Sequence, residues 1–127
     1  MARTEIVPTK LVPNSSVALP AGVAGQADGH FISTDTRTGV RDTVRTDDVV
    51  LHVTVANATT NVTVKAGQDP VAIAAALGDL VTACPVGTTV IGPFESGRFL
   101  RNDGRIHIDY ATPANVNIKV LAHPRAV

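Results

Sequence analysis

The sequence predicts a mainly β domain of the sandwich or barrel type, with one short helix and an extended N-terminal arm. About seven or eight short segments have the alternating apolar pattern of strands, and turn signals separate them at intervals of roughly 8–12 residues. Prolines at positions 8, 13 and 20 interrupt the first 29 residues, which show no sustained period. We therefore predict an arm over residues 1–29 and a single β domain over residues 30–127.

The clearest strand pattern lies near the C-terminal end of the sequence. Residues 105–110 and 116–120 alternate branched apolar and polar side chains, which is typical of strands with one buried face. Residues 102–104 read Asn-Asp-Gly, and Asp-Gly tolerates the positive φ angles of a tight hairpin turn. We therefore predict a hairpin in which residues 99–101 form the first strand and residues 105–110 the second.

A second hairpin is predicted from residues 49–56 and 61–65, which alternate in the same way around a turn at 57–60. The pattern then changes at residues 69–78, where Asp-Pro precedes an Ala-rich run that ends at a glycine. Asp is a favoured N-cap, Pro is tolerated at the first helical position and Ala has the best helix propensity, so this run predicts the short helix.

Extended structure is expected again over residues 79–84 and 88–91, with a turn at 85–87. Residues 95–97 are expected to form a loop. Residues 35–48 are polar and charged, which indicates a surface loop or an edge segment.

Composition limits the classes of function. The formal net charge is +0 and aromatic residues make up only 3% of the chain, which favours neither nucleic acid nor an anionic membrane as a partner. One cysteine, Cys84, excludes an intrachain disulfide and is interpreted as a small buried apolar residue.

The N-terminal sequence has no apolar run typical of a signal peptide, and no stretch approaches the ~20 residues of a membrane helix. We therefore expect a protein that is synthesised in the cytoplasm and is not secreted.

Few residues suggest catalysis. His107 and Asp109 share a strand face and could join His52 in a metal site or an acid/base pair, but alternating polar residues on a solvent face give the same pattern. Ser96 lacks the flanking residues of a nucleophile elbow, and there is no phosphate-binding or dinucleotide motif. The sequence therefore predicts a binding or structural module without enzymatic activity and without a cofactor or metal.

Two groups of arginines recur, at positions 37, 41 and 45 and at positions 98, 101 and 105. Because acidic residues are interspersed, they favour polar contacts to a protein over binding of nucleic acid. In the arm, the partner-binding residues are predicted to be Ile6, Val7, Leu11 and Val12, because ordering an extended segment requires good burial of its apolar side chains on a partner.

The segment from residue 67 to 109 resembles small virion proteins of tailed bacteriophages, especially those that infect actinobacteria. The resembling pieces are residues 75–80 (AALGDL), 90–96 (VIGPFES), 98–99 (RF) and 103–109 (DGRIHID). Residues 9–14 (TKLVPN) and 20–22 (PAG) are similar to the leader of the same proteins. The virion proteins that this sequence resembles are of the capsid decoration, or cement, type.

The resemblance implies a β-sandwich of the jelly-roll or β-tulip type on the outside of a phage capsid. The protein would be made in the cytoplasm of the host bacterium and would bridge subunits of the major capsid protein. The resemblance also implies a homo-oligomer, with a trimer favoured, and no enzymatic activity. Two alternatives stay open: a structural component of the tail, neck or fibre, and a non-viral β-sandwich binding module. The scarcity of aromatic residues argues against a carbohydrate-binding module.

Overall fold

The computed structural model describes residues 3–11, 15–33, 48–67, 77–94, 96–101 and 105–122. The protein is mainly β, as predicted: the described residues form ten strands in two sheets and one short α-helix. Both sheets combine parallel and antiparallel pairing.

The first sheet consists, in spatial order, of β1 (Thr4–Glu5), β4 (His30–Ser33), β9 (Arg105–Tyr110), β6 (Thr60–Val64) and β7 (Leu80–Cys84). β1 pairs with β4 in parallel, and the other neighbours are antiparallel. The predicted alternation in β9 is confirmed, because Ile106, Ile108 and Tyr110 are buried while Arg105 is exposed. One face of this sheet therefore contributes to the core.

The second sheet consists of β2 (Thr9–Lys10), β10 (Val116–Ala122), β5 (Val49–Val55) and β8 (Gly87–Ile91) in spatial order, and β3 (Val23–Ala24) also pairs with β10. The predicted alternation in β10 is confirmed, since Val116, Ile118 and Val120 are buried. A single hydrophobic core cluster contains buried side chains from both sheets, among them Ile32, Val62, Ile106 and Ile108 of the first and Leu51, Val53, Ile118 and Val120 of the second.

The predicted hairpin between residues 49–56 and 61–65 is wrong. Both segments are strands, but β5 pairs with β8 and β10 in the second sheet, and β6 pairs with β7 and β9 in the first. The connection, in which Asn57 has a φ of 72°, crosses from one sheet to the other. Alternation shows that each strand buries one face, but it does not show whether two consecutive strands lie side by side or in different sheets.

The predicted hairpin over residues 99–110 is also wrong in its first strand. The chain forms a helix, α1 (Ser96–Phe99), where a loop and the start of a strand were predicted. Phe99 is buried and contacts Phe94 edge to face, with 5.6 Å between ring centroids. The Arg101 N–H donates to the Arg105 carbonyl over 3.0 Å, but β9 pairs with β4 and β6. The predicted turn at residues 102–104 lies outside the described residues.

Other predictions fall partly outside the described residues. Of the predicted helix at 69–78, only Leu77 and Gly78 are described, and most of the polar segment at 35–48 is likewise not described. The extended segments at 79–84 and 88–91 are confirmed as β7 and β8. Cys84 is buried and has a free thiol, as its interpretation as a small apolar residue requires.

The predicted extended arm has no support in the described part of residues 1–29. Its short strands join both sheets: β1 extends the first, while β2 and β3 extend the second. Gly22 and Gly25 approach β10 and the turn before it so closely that a Cβ atom would collide with Asn117 or with the Pro113 carbonyl. Prolines exclude a helix here, but they allow short edge strands between them.

Candidate partner-binding surfaces

Arg3 fixes the start of the chain onto β9. Its Nη1 atom donates to the Asp109 carboxylate over 2.6 Å and to the Ile108 carbonyl over 3.1 Å. Gly29 lies against this contact with a φ of +79°, and a Cβ atom there would collide with the Arg3 guanidinium and the Asp109 carboxylate. The glycine therefore satisfies two requirements, a backbone conformation that L side chains rarely adopt and space for the ion pair.

The four predicted anchor residues have different environments. Ile6 is only 5% exposed and belongs to the hydrophobic core, and its N–H donates to the Phe31 carbonyl over 2.9 Å. Ile6 therefore packs in the core of its own chain and leaves little of its surface exposed for contact with a partner. Val7 is 75% exposed. Leu11 is half-buried beside the end of β10, and Val12 lies outside the described residues.

A cavity of about 130 Å³, which we call the N-terminal pocket, lies between the N-terminal segment and β10. Its apolar lining comes from Ile6, Pro20, Val23, Ile118 and Val120. The pairing of β10 explains its position. β3 pairs with β10 only as far as Ile118, and β2 begins to pair at Leu121, so none of the described strands lies beside residues 119–120 on this edge.

The lining of the N-terminal pocket also includes Glu5, Val7 and Lys119, together with Thr9 and Ala21. Glu5 and Val7 are exposed, and Lys119 is half-buried. Neither Glu5 nor Lys119 forms an ion pair with another residue in the described part of the chain. The pocket therefore combines an apolar lining with one anionic side chain, one cationic side chain and an exposed valine.

A second surface, which we call the β7–β8 edge, is formed by the strands at the ends of the two sheets. These are β7 in the first sheet and β8 in the second. Among the described strands, β7 pairs only with β6, and β8 pairs only with β5. No charged residue occurs between positions 80 and 94. Val81, Val86 and Val90 are each more than half exposed along this stretch. Edge strands of soluble proteins ordinarily carry charges, prolines or bulges that prevent pairing with other chains.

The structure also contains a polar pair in the core that sequence reasoning missed. His30 is 0% exposed, and its Nδ1 atom lies 2.7 Å from the Tyr110 hydroxyl. The other ring nitrogen, Nε2, is buried and has no hydrogen-bond partner in the described residues. Burial lowers the pKa of His30, because the charged imidazolium would lose its hydration. Burial likewise raises the pKa of Tyr110 far above its ordinary value.

The residues considered for catalysis are not brought together. His52 lies on β5 in the second sheet, whereas His107 and Asp109 lie on β9 in the first, and Asp109 is paired with Arg3. The described residues contain no group of three or more His, Cys, Asp or Glu that could hold a metal ion. Burial raises the pKa of the Cys84 thiol, which disfavours the reactive thiolate.

Arg98 of α1 makes contacts that support the fold. Arg98 donates to the Gly78 carbonyl over 3.1 Å and lies over the Phe99 ring. Its neighbour in space, Asp79, accepts hydrogen bonds from the Ala66 N–H at 2.6 Å and from Lys65 at 2.9 Å. The Ala66 bond, followed by that from Lys65, lowers the pKa of Asp79. These contacts join α1 to the ends of β6 and β7, so they do not by themselves form a partner site.

Comparison with protein-family models, curated proteins and solved structures returned no match. No helix formed by the described residues is long and apolar enough to cross a membrane. The features of the molecule that bear on its function are therefore the N-terminal pocket, the β7–β8 edge and the motifs of the sequence. Both surfaces offer apolar side chains and backbone edges, which are suited to contacts with protein.

Proposed function

We propose that this chain is a structural virion protein that binds the outside of a phage capsid and stabilises the shell by bridging major capsid subunits. In this proposal the two sheets pack face to face as a β-sandwich around the shared core. The observation that carries the proposal is the β7–β8 edge, where both sheets end in uncharged strands with exposed valines. Such edges favour pairing with another chain.

The chemistry of the β7–β8 edge fits a permanent protein partner. Exposed backbone groups of an edge strand can hydrogen-bond to a strand or extended loop of another protein, while flanking apolar side chains lose their water. Val81 and Val90, each 57% exposed, supply that apolar area on the two edge strands. The resemblance of residues 67–109 to phage decoration proteins supports the major capsid protein as this partner. It also favours a trimer on the shell.

Quantitative mass spectrometry of purified particles, calibrated against the major capsid protein, tests the proposal. We expect a copy number of the same order as that of the capsid subunits. A far lower number would favour the tail, neck or fibre alternative instead. Absence from particles would overturn the virion proposal and leave a β-sandwich binding module.

A pair of variants tests the surface itself. The double substitution Val81→Lys and Val90→Lys places two charges on the β7–β8 edge, so we expect much lower occupancy of shells, because buried unpaired charges are costly. Asn61→Lys, at an exposed position of the neighbouring strand β6, is the matched control and should keep normal occupancy. Equal occupancy for both variants would exclude this edge as the capsid contact.

A further inference from the structure

We propose that the N-terminal pocket is a self-association site, in which Val7 of one chain enters the pocket of a second copy and the second copy's Val7 enters the first. This contact is a two-fold dimer in solution. It is distinct from the trimer that the resemblance implies, and it does not depend on the virion assignment.

The size and lining of the pocket suit a valine side chain. The volume is about 130 Å³, and Ile6, Ile118 and Val120 give it a buried apolar lining. An apolar cavity of roughly 150 Å³ accommodates a benzene molecule, which is larger than the side chain of valine. Filling the pocket would remove from water the exposed side chain of Val7 and the half-buried lining at Pro20 and Val23, and such burial is the main favourable term in association.

Val7 is placed to be that side chain. It lines the same pocket and is 75% exposed, the largest value among the exposed large apolar residues that the structure describes. Its neighbour Ile6 is buried, so the backbone at this point is held by the core while Val7 projects from it. A rigidly held apolar side chain loses little conformational freedom when it binds, which favours association.

Charge favours a second copy as the occupant. Glu5 and Lys119 line one pocket with opposite charges, and neither forms an ion pair within the described chain. A two-fold interface is self-complementary, because residue i of one copy meets residue j of the other and the reverse holds as well. Two copies related in this way can pair Glu5 with Lys119 twice while they exchange the two valines.

The experiment is sedimentation velocity of the purified chain over a range of concentrations. We expect a dimer for the wild type and a dissociation constant raised at least about tenfold by Val7→Asp, because the charge would have to enter an apolar pocket. Leu77→Asp is the matched control, since Leu77 is an apolar residue that is 69% exposed and belongs to neither of the two surfaces, and it should leave the dimer unchanged. Circular dichroism checks that both variants keep the fold.

Charge reversal provides a second, independent measurement. Glu5→Lys and Lys119→Glu should each weaken the dimer by about two- to fivefold, as expected for exposed pairs, and the double variant should restore it. Restoration of the dimer is the result expected if the two residues face each other across the interface. A wild type that remains monomeric up to about 1 mM, a trimer insensitive to these variants, or a dimer unaffected by Val7→Asp would each overturn the proposal.

Discussion

The buried imidazole of His30 and the hydroxyl of Tyr110 form a hydrogen bond of 2.7 Å between strands that lie 80 residues apart in the sequence. Their rings also meet edge to face, with centroids 5.4 Å apart. The pair links β4 to β9 on the core side of the first sheet, while Arg3 and Asp109 pair at the more exposed side of the same strands.

The buried histidine predicts a loss of stability in mild acid. Burial lowers the pKa of His30 below its ordinary value of 6.5, so below that pH the unfolded chain takes up a proton that the folded chain resists. The free energy of unfolding should therefore be at its full value above about pH 6.5 and fall as the pH decreases, by at most about 1.4 kcal/mol per pH unit for one proton. The Tyr110 hydroxyl, 2.7 Å from Nδ1 of His30, offers no negative charge to compensate, and the nearby Asp109 carboxylate is paired with Arg3.

Denaturant titrations between pH 5 and 8, approximately the range over which histidine titrates, measure this effect. His30→Gln should reduce the slope below pH 6.5, whereas His52→Gln, at a half-buried position of β5, should retain it. If His30→Gln does not fold, the imidazole proton shifts of the wild type provide the same information. An imidazole that titrates at its ordinary pKa in the folded protein would contradict the prediction.

Removing the Tyr110 hydroxyl should destabilise the protein by about 1–3 kcal/mol, because Tyr110→Phe leaves the buried Nδ1 of His30 without its partner. Thr54→Val is the control, since it removes a hydroxyl from the exposed hydrogen bond between Thr54 and Thr88, 3.2 Å long, and should cost much less. Thermal and urea unfolding of both variants measure the difference. Equal losses would mean that burial of the His30–Tyr110 pair has no energetic consequence.

Gly29→Ala should be more destabilising than Gly78→Ala. Both glycines have similar positive φ angles, +79° and +84°, so both substitutions introduce the same backbone strain of about 1 kcal/mol or more. Only at Gly29 would the new Cβ collide with the Arg3–Asp109 ion pair, because nothing lies within 4 Å of the corresponding position at Gly78. The loss of unfolding free energy in Gly29→Ala minus the loss in Gly78→Ala therefore measures the steric cost of the new Cβ at Gly29. Equal losses would contradict the packing of Arg3 against Gly29.

Ile6→Ala should lower the stability of the isolated protein by about 2–5 kcal/mol, since it removes a buried side chain from the core. Val7→Ala should change it by less than about 0.5 kcal/mol, because Val7 is 75% exposed. Chemical denaturation at low protein concentration, where association contributes little, measures both. If Ile6→Ala were as mild as Val7→Ala, the N-terminal segment would be an arm after all.

The positions of the longer strands that bury one face could be predicted from the sequence, because a buried face leaves a period of two in the side chains. Residues 105–110 and 116–120 show that period clearly, and both are strands with the expected buried faces. The partners of the strands could not be predicted. β5 and β6 follow each other in the chain but lie in different sheets, since alternation fixes which face is buried and carries no information about the neighbour.

The candidate surfaces could be predicted only in part. The apolar character of residues 6 and 7 pointed to the N-terminal segment, but only the structure separates the buried Ile6 from the exposed Val7. The N-terminal pocket depends on the gap beside residues 119–120, which arises where two short strands share one edge of β10. His30 and Tyr110 meet through the register of β4 and β9, which no local pattern shows.

The pairing of β2 with β10 has a consequence for how the chain is synthesised. Thr9 lies opposite Leu121, so β2 is synthesised well before the strand with which it pairs, and it meets that partner only when β10 has left the ribosome. Non-local pairing of this kind slows folding, because a long loop must close before the contact is gained. β2 and β3 therefore stay without their sheet partner until β10 has been synthesised, and the second sheet is completed only then.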